Sequence, residues 1–325
     1  MAKDKVSIAM IGAGGMANLV HYPALASFAD VEFAGICDLN AERLQATADR
    51  YGICKRFTDY RQMIGETAPD GVYAIGPPAA MFDIWIWCLQ QGCHLYIEKP
   101  MGITWHQAQM LDDLAQQHDV ITQVSHQRRT SPLLVKLRDE CLQHGPVFYA
   151  VCEFFKCQPT PMYGTNDHMM DDCVHAIDTV RWICGGEVVE VQSHCKRLGT
   201  PDINFIDATL LFDNGAVGHV LNTWASGRRV FRVQMHAPGI YTDAEVEGKG
   251  LLYADGDYQG QEFDCFEVAG GSTPWEAFGF KQKNREFIDS LVTGVEVTSS
   301  PFRDCVKTMQ VANTILAQAI LKGEG

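Results

Sequence analysis

Apolar and polar positions follow two different rhythms along the chain. Over roughly the first 125 residues, short apolar runs alternate with stretches of helical spacing. Residues 6–11, 31–38, 71–75, 95–97 and 120–124 read as strands, being apolar, rich in Val, Ile, Tyr and Phe, and bounded by Gly, Pro or charge. The pattern between them predicts helices, for example over 81–91 and from an N-cap at Thr104 to about Gln117. About five such alternations define an α/β unit, a parallel sheet with helices on both faces. Beyond residue 124 the rhythm changes. Helical stretches near 132–142 and 174–184 accompany β patterns at 147–155, 188–197, 206–212, 216–223, 230–236 and 240–247. Asp213–Asn214–Gly215 is a hairpin turn between two of these. Two helices follow, over 275–291 and 301–321. The reading is two domains: a doubly wound parallel sheet over 1–123 and an α+β domain over 124–325. The second carries a large open, mostly antiparallel sheet, and the last helix packs back on the first domain.

The first strand runs into Gly12-Ala13-Gly14-Gly15-Met16-Ala17, a G-x-G-x-x-A turn at a strand-to-helix junction. Gly12 allows the tight turn, Gly14 lets a pyrophosphate approach the backbone, and Ala17 lets the helix pack close. The free N–H groups and positive end of that helix attract phosphate. Asp38 ends the second strand, 21 residues beyond Ala17, near the spacing at which an acid bonds the adenosine ribose and repels a 2′-phosphate. Its alternative role is the N-cap of the next helix. This predicts NAD as cofactor, while Arg43 nearby keeps NADP open. Gly76-Pro77-Pro78 ends another strand and belongs to the rim loop at the cofactor.

Leu95-Tyr96-Ile97-Glu98-Lys99-Pro100 sets a charged pair and a proline at a strand end. Proline cannot donate to the ladder, so Lys99 falls at the carboxyl rim where ligands of open α/β sheets bind. Glu98 beside it can orient the ammonium. Asp171, His175 and Asp178 have helical spacing, so that Asp171 and His175 share a face. A carboxylate beside an imidazole makes an acid/base pair and favours the protonated ring. A capping acid and a core histidine fit the same spacing. No second Cys/His cluster has ligand spacing, so no metal is expected.

The net charge of −14 argues against nucleic acid and against anionic membrane surfaces. No window is apolar enough to span a bilayer, and the polar N-terminus does not resemble a targeting segment. The twelve cysteines contain no C-x-x-C pair. A cytoplasmic protein with reduced thiols is expected.

In this order the glycine turn, Asp38, the Pro77-Pro78 loop, Glu98-Lys99-Pro100, Asp171-x-x-x-His175-x-x-Asp178 and the Asp213-Asn214-Gly215 turn resemble one known family. It is the glucose–fructose oxidoreductase, inositol dehydrogenase and rhizopine-catabolism (Gfo/Idh/MocA) family of oxidoreductases, and the resemblance covers nearly the whole chain. It implies a Rossmann domain that holds a nicotinamide cofactor on Gly12, Gly14, Gly15, Met16, Ala17, Asp38, Arg43, Gly76, Pro77, Pro78, Glu98 and Lys99. It implies a sugar, glycoside or polyol between the domains, contacted by Lys99, Arg129, Asp171 and His175. Lys99, Asp171 and His175 occupy the family's catalytic positions; which of Lys99 and His175 accepts the proton is left open. The open sheet implies a homodimer or homotetramer. Departures occur at Asp167, His168 and Met169, where the family often has glycines, at Cys173 for another glycine, and at Met81 for a histidine. The expected activity is hydride transfer between a secondary alcohol and NAD(P). The alternatives are a redox-neutral glycoside-cleaving or epimerising enzyme and a nucleotide-binding regulator.

Overall fold

The structure, a computed structural model, describes residues 5–158, 160–162 and 167–323. The first sheet has six parallel strands: β1 (Val6–Ile11), β2 (Val31–Cys37), β3 (Arg56–Phe57), β4 (Gly71–Ala74), β5 (Leu95–Ile97) and β6 (Thr122–Val124). Their order is β3-β2-β1-β4-β5-β6, so the chain reverses direction across the sheet between β1 and β4. Both faces are buried, which explains the unbroken apolar runs. Alternate residues serve different cores: Ile8, Met10, Tyr73 and Tyr96 face one side, and Ala9, Ile11, Val72, Ala74, Leu95 and Ile97 the other.

The helices of this half are α1 (Tyr22–Ala26), α2 (Ala41–Tyr51), α3 (Tyr60–Thr67), α4 (Pro78–Gln90) and α5 (Trp105–Gln117). Thr104 caps α5 as its sequence predicts, its side chain accepting from the Gln107 N–H. The α2 cap is Asn40, not Asp38. Between the glycine turn and α1 lies a wide turn, Ala17–His21. Pro23 follows and has no N–H to give to the carbonyl four residues back, so the backbone widens there.

The second half begins with α6 (Pro132–His144) and holds an eight-stranded sheet. Its strands are β7 (Tyr149–Cys157), β8 (Val188–Lys196), β9 (Phe205–Phe212), β10 (Val217–Thr223), β11 (Ala225–Ala237), β12 (Ile240–Glu245), β13 (Lys249–Ala254) and β14 (Gln261–Asp264). The order is β14-β13-β12-β11-β7-β10-β9-β8, antiparallel except for the β10–β7 pair. The helix α7 (Val174–Cys184) packs on β7 and β10. The opposite face of the sheet is half-buried and carries a row of rings, Tyr149, His236, Tyr241 and Tyr253.

The chain then returns to the first half through α8 (Cys265–Ala269), α9 (Pro274–Ala277), α10 (Phe280–Thr293) and α11 (Phe302–Lys322). The expected single helix over 275–291 is broken at Gly279. That residue has φ +95°, and a Cβ there would stand 2.2 Å from the Gln127 carbonyl oxygen. Only glycine allows the two backbones to approach so closely. Phe287 of α10 sits against Tyr73 and Tyr96. α11 packs on α5 and on α7, so one apolar core runs from the first sheet into the second. The two halves are therefore joined by their helices as well as by the chain at 124.

Candidate active site

Parallel strands deliver all their carboxyl ends to one rim, and the cavity there is about 610 Å³. Gly12, Gly14, Asp38, Arg43, Gly76 and Pro77 line it, six of the residues expected from sequence. Gly12 has φ +104°, and a Cβ would meet the Ile75 carbonyl oxygen at 2.0 Å, so the turn requires glycine. Beside Gly14 and Gly15 a Cβ would meet nothing within 4 Å. That open space is what a pyrophosphate needs, so the turn fits a dinucleotide. Met16 is exposed and Ala17 buried beneath the turn, while Pro78 opens α4. Asp38 accepts from the Ala13 N–H (2.7 Å), the Asn40 N–H (2.7 Å) and Arg43 (3.2 Å), which fixes its carboxylate at the cavity wall. Thr58, Tyr60, Arg61 and Met81 complete the wall. Met81 is already a departure from the family pattern; the sequence pattern missed Thr58, Tyr60 and Arg61, because they come from the loop after a two-residue strand and the first turn of α3.

Glu98 is buried, and both of its oxygens are engaged. Oε1 lies 2.8 Å from His21 Nε2, and Oε2 accepts the Lys99 N–H. Burial alone would raise its pKa, but the His21 bond and charge and the Lys99 charge outweigh this and lower it. His21 bridges onward to Asn284 of α10, 3.2 Å away. The strand end at Lys99 is thus held from below by an ionised carboxylate. The Lys99–Pro100 bond is cis. The Lys99 ammonium donates to the Asp171 main-chain oxygen and lies 3.4 Å from its carboxylate. Asp171 sits on a second wide turn, Met169–Cys173, directly ahead of α7, and His175 is the second residue of that helix.

The imidazole differs from the sequence expectation. His175 Nδ1 is buried without a hydrogen-bond partner among the described residues. Burial comes first, then the positive charges of Lys99, Arg128 and Lys156 and the neighbouring His126 ring; together they hold its pKa well below the usual value. The ring is neutral at pH 7, the reverse of the protonated ring that a carboxylate partner would favour. Arg129 requires a second correction. It is buried, giving Nε (2.8 Å) and Nη2 (2.6 Å) to Asp178 and Nη1 to the Ser299 carbonyl (2.6 Å), and its Nη2 forms an ion pair with Asp304 at 2.6 Å. All three of its nitrogens serve the junction of α7 and α11, not a ligand. Asp178, His126 and Cys305 also draw together, but the guanidinium on Asp178 opposes a metal ion there.

Around His175 stand residues that the sequence reading did not single out. Phe154 lies edge-on to its ring at 6.4 Å. Lys156 Nζ is 2.5 Å from Asp172, which also accepts from Trp224 Nε1 at 2.8 Å. Glu247 binds both Arg128 and Arg229. Period-two alternation on β7 carried a signal for Lys156, two residues from buried Phe154. Nothing local marked Trp224 or Glu247.

An open α/β sheet with a glycine turn and a lysine at its rim defines a dinucleotide-binding oxidoreductase architecture. Two family models match the chain: the oxidoreductase family with NAD-binding Rossmann fold over residues 6–126, and the GFO/IDH/MocA C-terminal domain over 151–249. The chain belongs to the Gfo/Idh/MocA oxidoreductase family, and its first domain is the NAD-binding one. It is similar to D-glucoside 3-dehydrogenase of Escherichia coli (25% identical, covering 62% of this chain and 60% of the relative). It is also similar to inositol 2-dehydrogenase of Salmonella typhimurium (24% identical, covering 59% of this chain and 57% of the relative). The matched segments thus span less than two thirds of these curated relatives. Among solved structures, levoglucosan dehydrogenase in complex with NADH and levoglucosan superposes with a TM-score of 0.83 at 18% identity, covering 97% of both chains. Among the described residues, no helix is long and apolar enough to cross a membrane.

Proposed function

We propose that this protein is an NAD-dependent dehydrogenase acting on a secondary alcohol of a sugar, sugar derivative or cyclitol. The observation that carries the reading is the meeting of Lys99 with Asp171, four residues ahead of His175, on the rim that also forms the dinucleotide cavity. The relatives named for glucosides and inositol support the substrate class. Bound nicotinamide supplies the hydride acceptor. Lys99, oriented by Asp171 and by Glu98 beneath its backbone, hydrogen-bonds the reacting oxygen and stabilises the charge that builds on it. His175, kept neutral, has a lone pair for the hydroxyl proton. The same positive charges that depress its pKa favour an alkoxide nearby.

NADH formation across a panel of sugars, glycosides and inositols tests the reading. Lys99→Ala should leave NADH binding nearly normal and lower turnover by ~10²-fold or more, the scale for losing a proton-transfer or oxyanion partner. A near-native rate in that variant removes Lys99 from the mechanism. The half-buried ring-bearing face of the second sheet fits contact with a second copy of the chain, giving a dimer or tetramer. A strictly monomeric mass at micromolar concentration refutes that assembly.

A further inference from the structure

The ion pairs bordering His175 share their carboxylates unevenly. Lys99, Arg128, Lys156 and Arg229 are the cations, and Asp171, Asp172 and Glu247 the carboxylates that pair with them. Within this set of ion pairs four cations meet three carboxylates and leave one positive charge, in a chain whose net charge is −14. The excess has a definite origin, because the single carboxylate of Glu247 binds two guanidinium groups. Arg128 is 5% exposed and gives Glu247 only Nη2; its guanidinium lies over the Phe231 ring, and its Nε and Nη1 are buried without a hydrogen-bond partner among the described residues. Arg229 gives Glu247 Nε and Nη2, and its side chain is 45% exposed. Its Nη1 bonds nothing among the described residues. Both Arg229 (5.0 Å) and Lys156 (5.2 Å) approach the ring of Phe154, which borders His175. The apolar floor weakens solvent screening, and buried donors without partners are costly.

We infer that the substrate carries an anionic oxygen group, a carboxylate or a phosphate, which binds over Phe154 at Arg229 and Lys156. The inference rests on the dehydrogenase reading for the position of the reacting hydroxyl at Lys99 and His175. A purely neutral sugar would leave the excess charge uncompensated. An anion neutralises it and accepts charge-assisted hydrogen bonds from Arg229 Nη1 and Lys156 Nζ. Arg128 acts from behind as a fixed positive charge.

The test is calorimetric titration of the NADH-loaded protein with D-glucuronate, D-glucose 6-phosphate and D-glucose at one ionic strength, with galacturonate and galactose as a second pair. At least one anionic member should bind ~10-fold or more tightly than its neutral partner, the scale of a hydrogen bond to a charged group. The carboxylate and phosphate arms tell which anion the site takes. Arg229→Met and Lys156→Met, made separately and checked by NADH titration, should each reduce the anion-to-neutral affinity ratio by ~10-fold. Equal or tighter binding of the neutral sugars, absence of binding by every anion in the panel, or a ratio unmoved by both variants overturns the inference. Anion binding without NADH formation from any panel member would count against the dehydrogenase reading and leave the anion site standing.

Discussion

Removal of Asp178 is the sharpest test of how this site is held. Its side chain is 1% exposed and that of Arg129 is 5% exposed. They meet through two bonds of 2.8 and 2.6 Å, and Thr308 of α11 adds a third to the carboxylate at 3.0 Å. Removing one partner from a buried pair costs about 3–5 kcal/mol, because the other charge is left uncompensated. Asp304 still reaches Arg129 at 2.6 Å, so Asp178→Ala belongs at the low end, about 3 kcal/mol. At roughly 1.5 °C per kcal/mol for a chain of 325 residues, calorimetry should record a fall in Tm of about 4–5 °C. Arg129→Met should fall comparably, while the double variant Arg129→Met/Asp178→Leu should recover much of the loss, since a buried pair is often replaceable by apolar side chains. Burial raises the Asp178 pKa, but the Arg129 charge and bonds outweigh it and hold the carboxyl well below the usual range. The pair's contribution is therefore present above ~pH 4 and is lost only as pH falls through the depressed value. Single variants within about 1 kcal/mol of wild type by this measure, or an Arg129→Met protein of normal Tm with a raised KM, would refute a structural role and restore Arg129 to the substrate.

Asp38 should make the protein prefer NAD to NADP, and Asp38→Ser should narrow that preference; a native protein that binds NADP at least as tightly as NAD defeats this assignment. Gly12→Ala should destabilise the protein even without cofactor, because its Cβ meets the Ile75 carbonyl. Gly14→Ala should leave the apoprotein stable and weaken only NADH binding, and equal stability losses in the two variants would refute the distinction. Buried His126, held at about 4 by desolvation, binds its proton more readily in the unfolded chain, so stability should fall as pH drops from about 6.5 towards 4. His175 acts in the same direction. Together they should lower stability by at least ~3 kcal/mol at pH 4, and a Tm flat between pH 7 and pH 4.5 contradicts both burial readings.

The first sheet was legible because its strands are buried on both faces and are written as continuous apolar runs. The elements that escaped are those whose reason lies elsewhere in the chain. β3 is two residues long and exists by pairing with Ile36 and Cys37. β13 and β14 form an edge whose pattern is too mixed to separate from a loop. The break at Gly279 is dictated by the backbone of Gln127–Thr130, which lies some 150 residues earlier. A single glycine inside a helical pattern gives no hint of that approach.

The site divides along the same line. Gly12, Gly14, Asp38 and Lys99 could be found because a strand end fixes a residue's address at the rim, and strand ends are local events. Arg129 could not be placed, because the same motif fits a guanidinium aimed at a ligand or at a buried carboxylate. Only the return of α11 with Asp304 and Thr308 decides between them. The protonation of His175 was misjudged for a related reason. Its sequence neighbour Asp171 suggests a charged ring, whereas burial and cations from just beyond β5, from the turn after β6 and from β7 hold it neutral. Glu98 shows how local and distant causes combine. The sequence places it one residue before Lys99, but its ionised state depends on His21 beyond the glycine turn, itself seated on Asn284 of α10. A rim lysine needs a rigid backbone beneath it. Here that support joins the glycine turn, the strand that ends at Lys99 and a C-terminal helix in one buried chain of hydrogen bonds.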